Sequence, residues 1–221
     1  MIIQPPDAGW IEVVCGPMFS GKTEELIRRL RRALIAGLDV QIFKPAIDDR
    51  YSTVEIQSHD GRSLRAEVVD CVDNLRRALR ETVRVVGIDE VQFFDETVVE
   101  LCIELANRGT RVIVAGLDQD FRARPFGVMP QLLAEAEFVT KSLAICVLCG
   151  NPANRSHRFL ANRNELPEGE TSPIDVGAAE RYQPLCRMCY HHRQADANAR
   201  LAQGSLHLRS LHHDGHEEAN G

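Results

Sequence analysis

The chain has 221 residues, with 26 Lys and Arg against 32 Asp and Glu, for a formal charge of −6 at pH 7. Its 44% hydrophobic and 26% charged residues exclude wholesale disorder, and the acidic balance counts against a general nucleic-acid binder, which needs a basic face for phosphate. No apolar run approaches the ~18 residues of a membrane-spanning helix, and MIIQPPDAGW lacks the basic region and apolar core of a signal peptide. The expectation is a soluble, cytoplasmic protein with no membrane contact and no stable nucleic-acid binding.

In chain order, Trp10–Cys15 (WIEVVC) reads as a strand running into a glycine-bearing turn. Leu26, Ile27, Leu30 and Leu34 recur at helical spacing and predict a helix over 24–36, closed by Gly37. Its Arg28, Arg29, Arg31 and Arg32 fall opposite that stripe, as a solvated face or a subunit contact. Strand-like runs follow at 40–44, 66–69, 83–88 and 111–116, with helical periodicity at 73–80 and 97–108. Strands alternating with helices imply right-handed crossovers and a mostly parallel sheet covered on both faces, an α/β fold. The texture changes at Cys146, where cysteine pairs bracket a stretch rich in Asn, Pro, Gly and Glu. Residues 195–202 read as one or two helical turns, and the His-bearing end beyond them has little to bury. The expected organisation is 1–145 as the α/β domain, 146–194 as a small metal domain and 195–221 as a largely disordered tail.

Gly16–Thr23 reads GPMFSGKT, a full G-x-x-x-x-G-K-[ST] match placed after a strand and before a helix. Its glycines let backbone N–H groups close around phosphate, and the helix N-terminus adds partial positive charge. Gly16, Pro17, Met18, Phe19, Ser20 and Gly21 are the expected cradle, Lys22 reaches the β- and γ-phosphates, and Thr23 offers a hydroxyl to Mg²⁺. VRVVGIDE then ends an apolar strand in two acids. Asp89 is the candidate for the Mg²⁺ side. Glu90 is placed to take a proton from the attacking hydroxyl, and Gln92 is grouped with the nucleotide-binding residues.

Seven cysteines in a chain read as cytoplasmic do not suggest a disulfide framework. Cys15, Cys71 and Cys102 stand alone and are expected as small core residues. Cys146-x-x-Cys149 and Cys186-x-x-Cys189 can supply four thiolates to tetrahedral Zn²⁺. The long separation makes 150–185 loop out, and four thiolates leave no open position, so the metal is expected to be structural. Reduced surface thiols, an iron–sulfur site, or His191 or His192 as a substitute ligand are the alternatives.

GPMFSGKT, KPAIDDRY, SHDG, GIDEVQFF, GLDQDFRARPFG and the paired cysteines, in this order, resemble the type II thymidine kinases from about Trp10 to Tyr190. The resemblance implies transfer of the ATP γ-phosphoryl group to the 5′-hydroxyl of thymidine with Mg²⁺, on a RecA-like core with a small zinc domain, usually in a homotetramer. It implies Glu90 as general base and Asp89 on the Mg²⁺ side. Met18 lies under the thymine ring, Leu117 and Phe121 line the base and sugar pocket, and Asp48 and Arg50 form an acidic–basic pair near the transferring phosphate. A lasso loop between the zinc pairs closes over the nucleoside in that family. Its counterpart is PIDVGAAERY, where Ile174, Val176, Gly177 and Tyr182 match pocket positions, while Ala178 and Glu180-Arg181 depart from the family pattern.

Two other classes fit parts of the pattern. A RecA-like ATPase coupled to DNA accounts for the P-loop, the two acids and the arginine-rich helix, but not for the net charge or for only 5% aromatic residues. A nucleotide-binding regulator without turnover is disfavoured by the complete set of Lys22, Thr23, Asp89 and Glu90.

Overall fold

A computed structural model describes residues 8–46, 54–57 (main chain), 63–158 and 182–195. Asp48, Arg50, Ile174, Val176, Gly177, most of the lasso counterpart and the expected tail lie outside the described residues.

The strands are β1 (Trp10–Cys15), β2 (Val40–Pro45), β3 (Val54–Gln57), β4 (Ser63–Val69), β5 (Val85–Ile88), β6 (Arg111–Gly116) and β7 (Phe138–Lys141). They form one seven-stranded sheet in the order β3-β4-β2-β5-β6-β1-β7. All neighbours pair parallel except β3, which runs antiparallel to β4. The sheet is covered by α1 (Lys22–Ile35), α2 (Val72–Ala78), α3 (Thr97–Asn107) and α4 (Met129–Glu135).

Period-two alternation explains the layers. Val14, Val85, Ile113 and Ala115 point to one face, where Leu26, Ile27, Leu30 and Ala33 of α1 meet them. Val13, Val86, Ile88, Val112 and Val114 point to the other, against Val72 and Leu75 of α2, Leu101, Cys102 and Leu105 of α3, and Met129 and Leu132 of α4. Cys15 and Cys102 are buried as expected, and Cys71 is half-buried. Among the described residues no helix is long and apolar enough to cross a membrane.

Several boundaries differ from the sequence reading. The first helix begins at Lys22, because Gly21 takes a left-handed conformation (φ 77°) that turns the P-loop directly into it. Val83 and Arg84 lead into β5 rather than belonging to it. Helix α4 and edge strand β7 were not foreseen; Pro130, at the start of α4 where its missing N–H costs nothing, was the available signal. The arginine face of α1 is only partly solvated. The Arg29 side chain is 13% exposed and bonds Glu12, Glu25 and Thr140 across the sheet edge, whereas Arg28 is exposed and bonds Glu25.

Past β7 the chain forms a second, smaller unit of paired strands. β8 (Ala144–Ile145) pairs with β9 (Pro152–Ala153), and β10 (Arg155–Arg158) with β11 (Tyr182–Leu185), followed by helical residues 187–195. The one or two turns expected over 195–202 lie, apart from residue 195, outside the described residues. The separate core of this unit consists of Ala144, Cys146, Ala153, Leu185, Cys186 and Tyr190.

Candidate active site

The strand order places one strand, β6, between the P-loop strand β1 and the acid-bearing strand β5. All three run parallel, so Gly16–Thr23, Asp89-Glu90 and Leu117-Asp118 emerge at the same carboxyl edge, where ligands of open α/β sheets bind. The P-loop main chain is tightly constrained. Gly16 has φ 143°, and a Cβ there would sit 2.2 Å from the Ser142 carbonyl oxygen, so no other residue fits. Phe19 adopts φ 64°, the left-handed turn through which successive N–H groups can converge on an anion.

Lys22 is buried and its Nζ donates to the Pro17 carbonyl at 2.8 Å. Burial lowers its pKa; Glu90, Asp89 and Asp118 act in the opposite direction. The Thr23 hydroxyl donates to Asp89 Oδ2 at 3.2 Å, bringing together the two side chains expected on the Mg²⁺ side. Burial pushes the Asp89 carboxyl up to about 7, with the Glu90 carboxylate adding to the shift and Lys22 and Thr23 opposing it. A buried acid so disfavoured as an anion is suited to a divalent cation, and the Thr23–Asp89 pair fits Mg²⁺ on that ground.

Glu90 is half-buried and left-handed (φ 51°), a strained setting for a residue with a side chain. Its N–H donates to Asp89 Oδ1 at 3.1 Å, and Gln92 Nε2 donates to Glu90 Oε2 at 2.6 Å. Gln92 also accepts from the Leu117 N–H through Oε1 at 3.1 Å. Gln92 thus bridges the Glu90 carboxylate and the end of β6.

The four cysteine sulfurs all lie within 4.8 Å of one another, with Cys149 Sγ and Cys186 Sγ 3.6 Å apart. That separation is far beyond a disulfide and close to the ~3.8 Å edge of a tetrahedron with Zn–S near ~2.3 Å. The Cys189 N–H points at Cys186 Sγ and the Asn151 amide at Cys149 Sγ, both at 3.4 Å, as a thiolate cluster requires. The cluster can hold a metal ion, and the donor set fits Zn²⁺. His191 and His192 are exposed and stand outside it.

Leu117 and Phe121, both half-buried, lie in the loop from β6 to α4. Met18, also half-buried, lies in the P-loop, and Tyr182 opens β11 opposite Arg158. The sequence reading missed the side chains that join these segments. Buried Ser156 accepts the Met18 N–H through Oγ at 2.9 Å. Arg155 donates to Gln119 Oε1 at 2.7 Å, and the Tyr190 hydroxyl donates to the Phe121 carbonyl at 2.8 Å. Asp118, also missed, is buried just past β6, with Oδ2 paired to Lys141 at 2.6 Å and Oδ1 buried without a hydrogen-bond partner among the described residues. An acid directly after an apolar strand, as in GIDE, was the signal that could have found Asp118; Ser156, Arg155 and Tyr190 carry no local signal.

A family model described as "TK: Thymidine kinase" matches residues 9–190. A thymidine kinase from Rhodothermus sp. (strain ITI 518) is 54% identical over 182 residues, which cover 82% of this chain and 81% of that one. Among solved structures, domain III of the Thermotoga maritima replication initiation protein DnaA is similar at a TM-score of 0.36 and 16% identity, over 60% of this chain and 54% of that one. The Legionella pneumophila ATPase DotB is similar at a TM-score of 0.36 and 14% identity, over 67% and 44%. These two likenesses are too slight to bear on function.

Proposed function

This chain belongs to the thymidine kinase family, and from that premise we propose how its residues divide the work of phosphorylating thymidine. The observation that carries the proposal is the hydrogen bond from Thr23 to Asp89, with Glu90 next in the chain and Lys22 buried beside them. Phosphoryl transfer needs positioning and charge neutralisation more than covalent chemistry. The P-loop from Gly16 to Gly21 cradles the ATP phosphates and Lys22 takes up charge on the β- and γ-oxygens. Thr23 and Asp89 hold Mg²⁺, which when bound neutralises charge on the phosphates. Glu90, oriented by Gln92, receives the proton of the thymidine 5′-hydroxyl. Met18, Leu117, Phe121 and Tyr182 line the nucleoside side, joined by Ile174, Val176 and Gly177, with Asp48 and Arg50 near the transferring phosphate.

The four cysteines hold a structural Zn²⁺. Residues 146–194 form the metal domain on an α/β domain of 1–145, a division supported by the separate buried cluster around Cys146 and Cys186, which also takes in Ala144 just before the boundary. We further propose a cytoplasmic homotetramer with no stable nucleic-acid binding. Supporting assembly, Val139, Leu143, Ile145 and Val147 along and beyond edge strand β7 are 49–69% exposed, an apolar stripe of the kind interfaces cover.

Radiolabelled phosphate transfer with thymidine, with single-stranded DNA and with neither tests the activity directly. Label appearing in dTMP only with thymidine is expected. ATP consumption stimulated by DNA and indifferent to thymidine would instead support a DNA-coupled ATPase. Sedimentation at micromolar concentration tests the tetramer, and a monomer there would overturn it.

A further inference from the structure

Tyr190 directly follows the last cysteine, and its N–H donates to the Cys186 carbonyl at 3.0 Å, so the ring position is set by the knuckle itself. The residue is 4% exposed and its ring meets His157 edge-to-face at 6.0 Å. The phenol accepts from Gln194 Nε2 at 3.0 Å and donates to the Phe121 carbonyl at 2.8 Å. A buried phenol needs a partner, but its choice here is informative. Phe121 lies in the connection between β6 and α4, at the tip of a short turn closed by the Ala123 N–H on the Asp120 carbonyl and by the Gln119–Pro125 bridge, and the Tyr190 hydroxyl ties that tip to the metal module. Its ring is also held from the metal module, with the Arg158 guanidinium 5.4 Å from the centroid and its neighbour Arg122 at 5.0 Å.

We propose that Tyr190 is a positioning residue for the nucleoside: by fixing the Phe121 carbonyl it makes the shape of the thymidine pocket depend on the four-cysteine centre. The inference rests on the reading of Phe121 as a pocket residue. It gives the metal a route to the substrate through the described contacts. The hydroxyl is the only atom required, because the ring alone maintains the packing against His157.

The test uses the full chain, metal-loaded, as Tyr190→Phe, which keeps the ring and removes the buried hydrogen bond to Phe121 together with the one from Gln194. The thymidine KM should rise about 3- to 10-fold, the scale of one buried hydrogen bond. The kcat and the ATP KM should stay within about twofold, a split expected when binding rather than chemistry is disturbed, and elemental analysis should find the metal retained. Phe121→Ala is the companion variant. If it leaves the thymidine KM unchanged, the pocket reading of Phe121 fails and the inference falls with it. If it raises the KM while metal-replete Tyr190→Phe does not, the pocket reading stands and the positioning role is overturned. Metal loss in Tyr190→Phe, or parallel decline of kcat and both affinities, would assign Tyr190 to module stability and also overturn it. Chelation closes a thermodynamic cycle: removing the metal should raise the thymidine KM of the parent by more than that of Tyr190→Phe, and equal increases would sever Tyr190 from the metal.

Discussion

Lys22 and Thr23 open α1 just beyond β1, and Asp89 follows β5, strands buried on both faces between α1 and the helices α2 to α4. The four cysteines stand among strands of two and four residues, around a core of Ala144, Cys146, Ala153, Leu185, Cys186 and Tyr190, two of which are themselves ligands. The first region has enough buried apolar surface to hold its geometry without help. The second does not, and resembles small domains that need a staple. On the proposed assignment, phosphate chemistry is mounted on the sheet, while recognition of the nucleoside would lean on a module that a metal staples. If that division is right, changes in the first region should act on the chemical step, and changes in the second on thymidine affinity.

The largest effect is expected from Glu90→Gln, which preserves shape and the contact with Gln92 but removes the proton acceptor. Turnover should fall at least ~100-fold, the usual range for a general base, with ATP binding retained by calorimetry. Near-normal turnover of the folded variant would take Glu90 out of that role. Lys22→Ala should follow closely, at roughly 100-fold in kcat, because it removes charge stabilisation formed mainly in the transition state. Transfer at close to the parent rate would mean that GPMFSGKT is not the working phosphate site.

A smaller and differently directed effect is expected on the metal side. The parent should contain one Zn²⁺ per chain, and Cys149→Ser should lose it. The thymidine KM should then rise on the order of 10-fold or more while ATP affinity changes less, because the pocket segments hang on the module through several hydrogen bonds. Ser156 bonding the Met18 N–H means the P-loop is not wholly insulated, so some ATP effect belongs to this picture. Equal losses of both affinities together with lost circular dichroism would show that the metal supports only global stability. Iron with stoichiometric sulfide in place of zinc would change the chemistry of the centre altogether.

The same contrast explains what could be read from the chain. GPMFSGKT, GIDE and the alternating strands are local patterns, and each element they announced is present within a few residues. The cysteine pairs were legible because ligand spacing is local within each knuckle, and the structure brings all four sulfurs together. What escaped was long-range: Ser156 with Met18, 138 residues apart, Tyr190 with Phe121, 69 apart, and Arg155 with Gln119, 36 apart. The bridge Gln92 makes from Glu90 to Leu117 could not be read either, because it exists only once β5 and β6 lie side by side. The solvated arginine face failed at Arg29 for a related reason. Its Glu12 partner is on another element, and helical spacing cannot announce it.

The last expected effect is on stability and tests whether the catalytic region carries a cost for its function. Asp89 has an ordinary value of 3.8 and is raised to about 7 in the fold, chiefly by burial and then by Glu90. A raised carboxyl binds its proton more tightly in the native than in the unfolded state. Its contribution is therefore fully present below about pH 4, declines as pH rises, and is lost above about pH 7. Asp89→Asn removes that dependence. Without nucleotide or Mg²⁺, the variant should melt close to the parent at pH 4 and roughly 10 °C above it at pH 8, since about three pKa units are worth ~4 kcal/mol and about 1 kcal/mol moves Tm by roughly 2–4 °C in a chain of this size. Mg²⁺ with ATP should reverse the order at pH 8, because a cation seated on Asp89 stabilises the carboxylate and has no such partner in the amide. Scanning calorimetry of both proteins at the two pH values, with and without Mg²⁺ and ATP, decides the matter. A variant that melts below the parent at pH 8 without ligand would mean that Asp89 is held by Lys22 and Thr23 as a stabilising anion, and that the catalytic sheet carries no such cost.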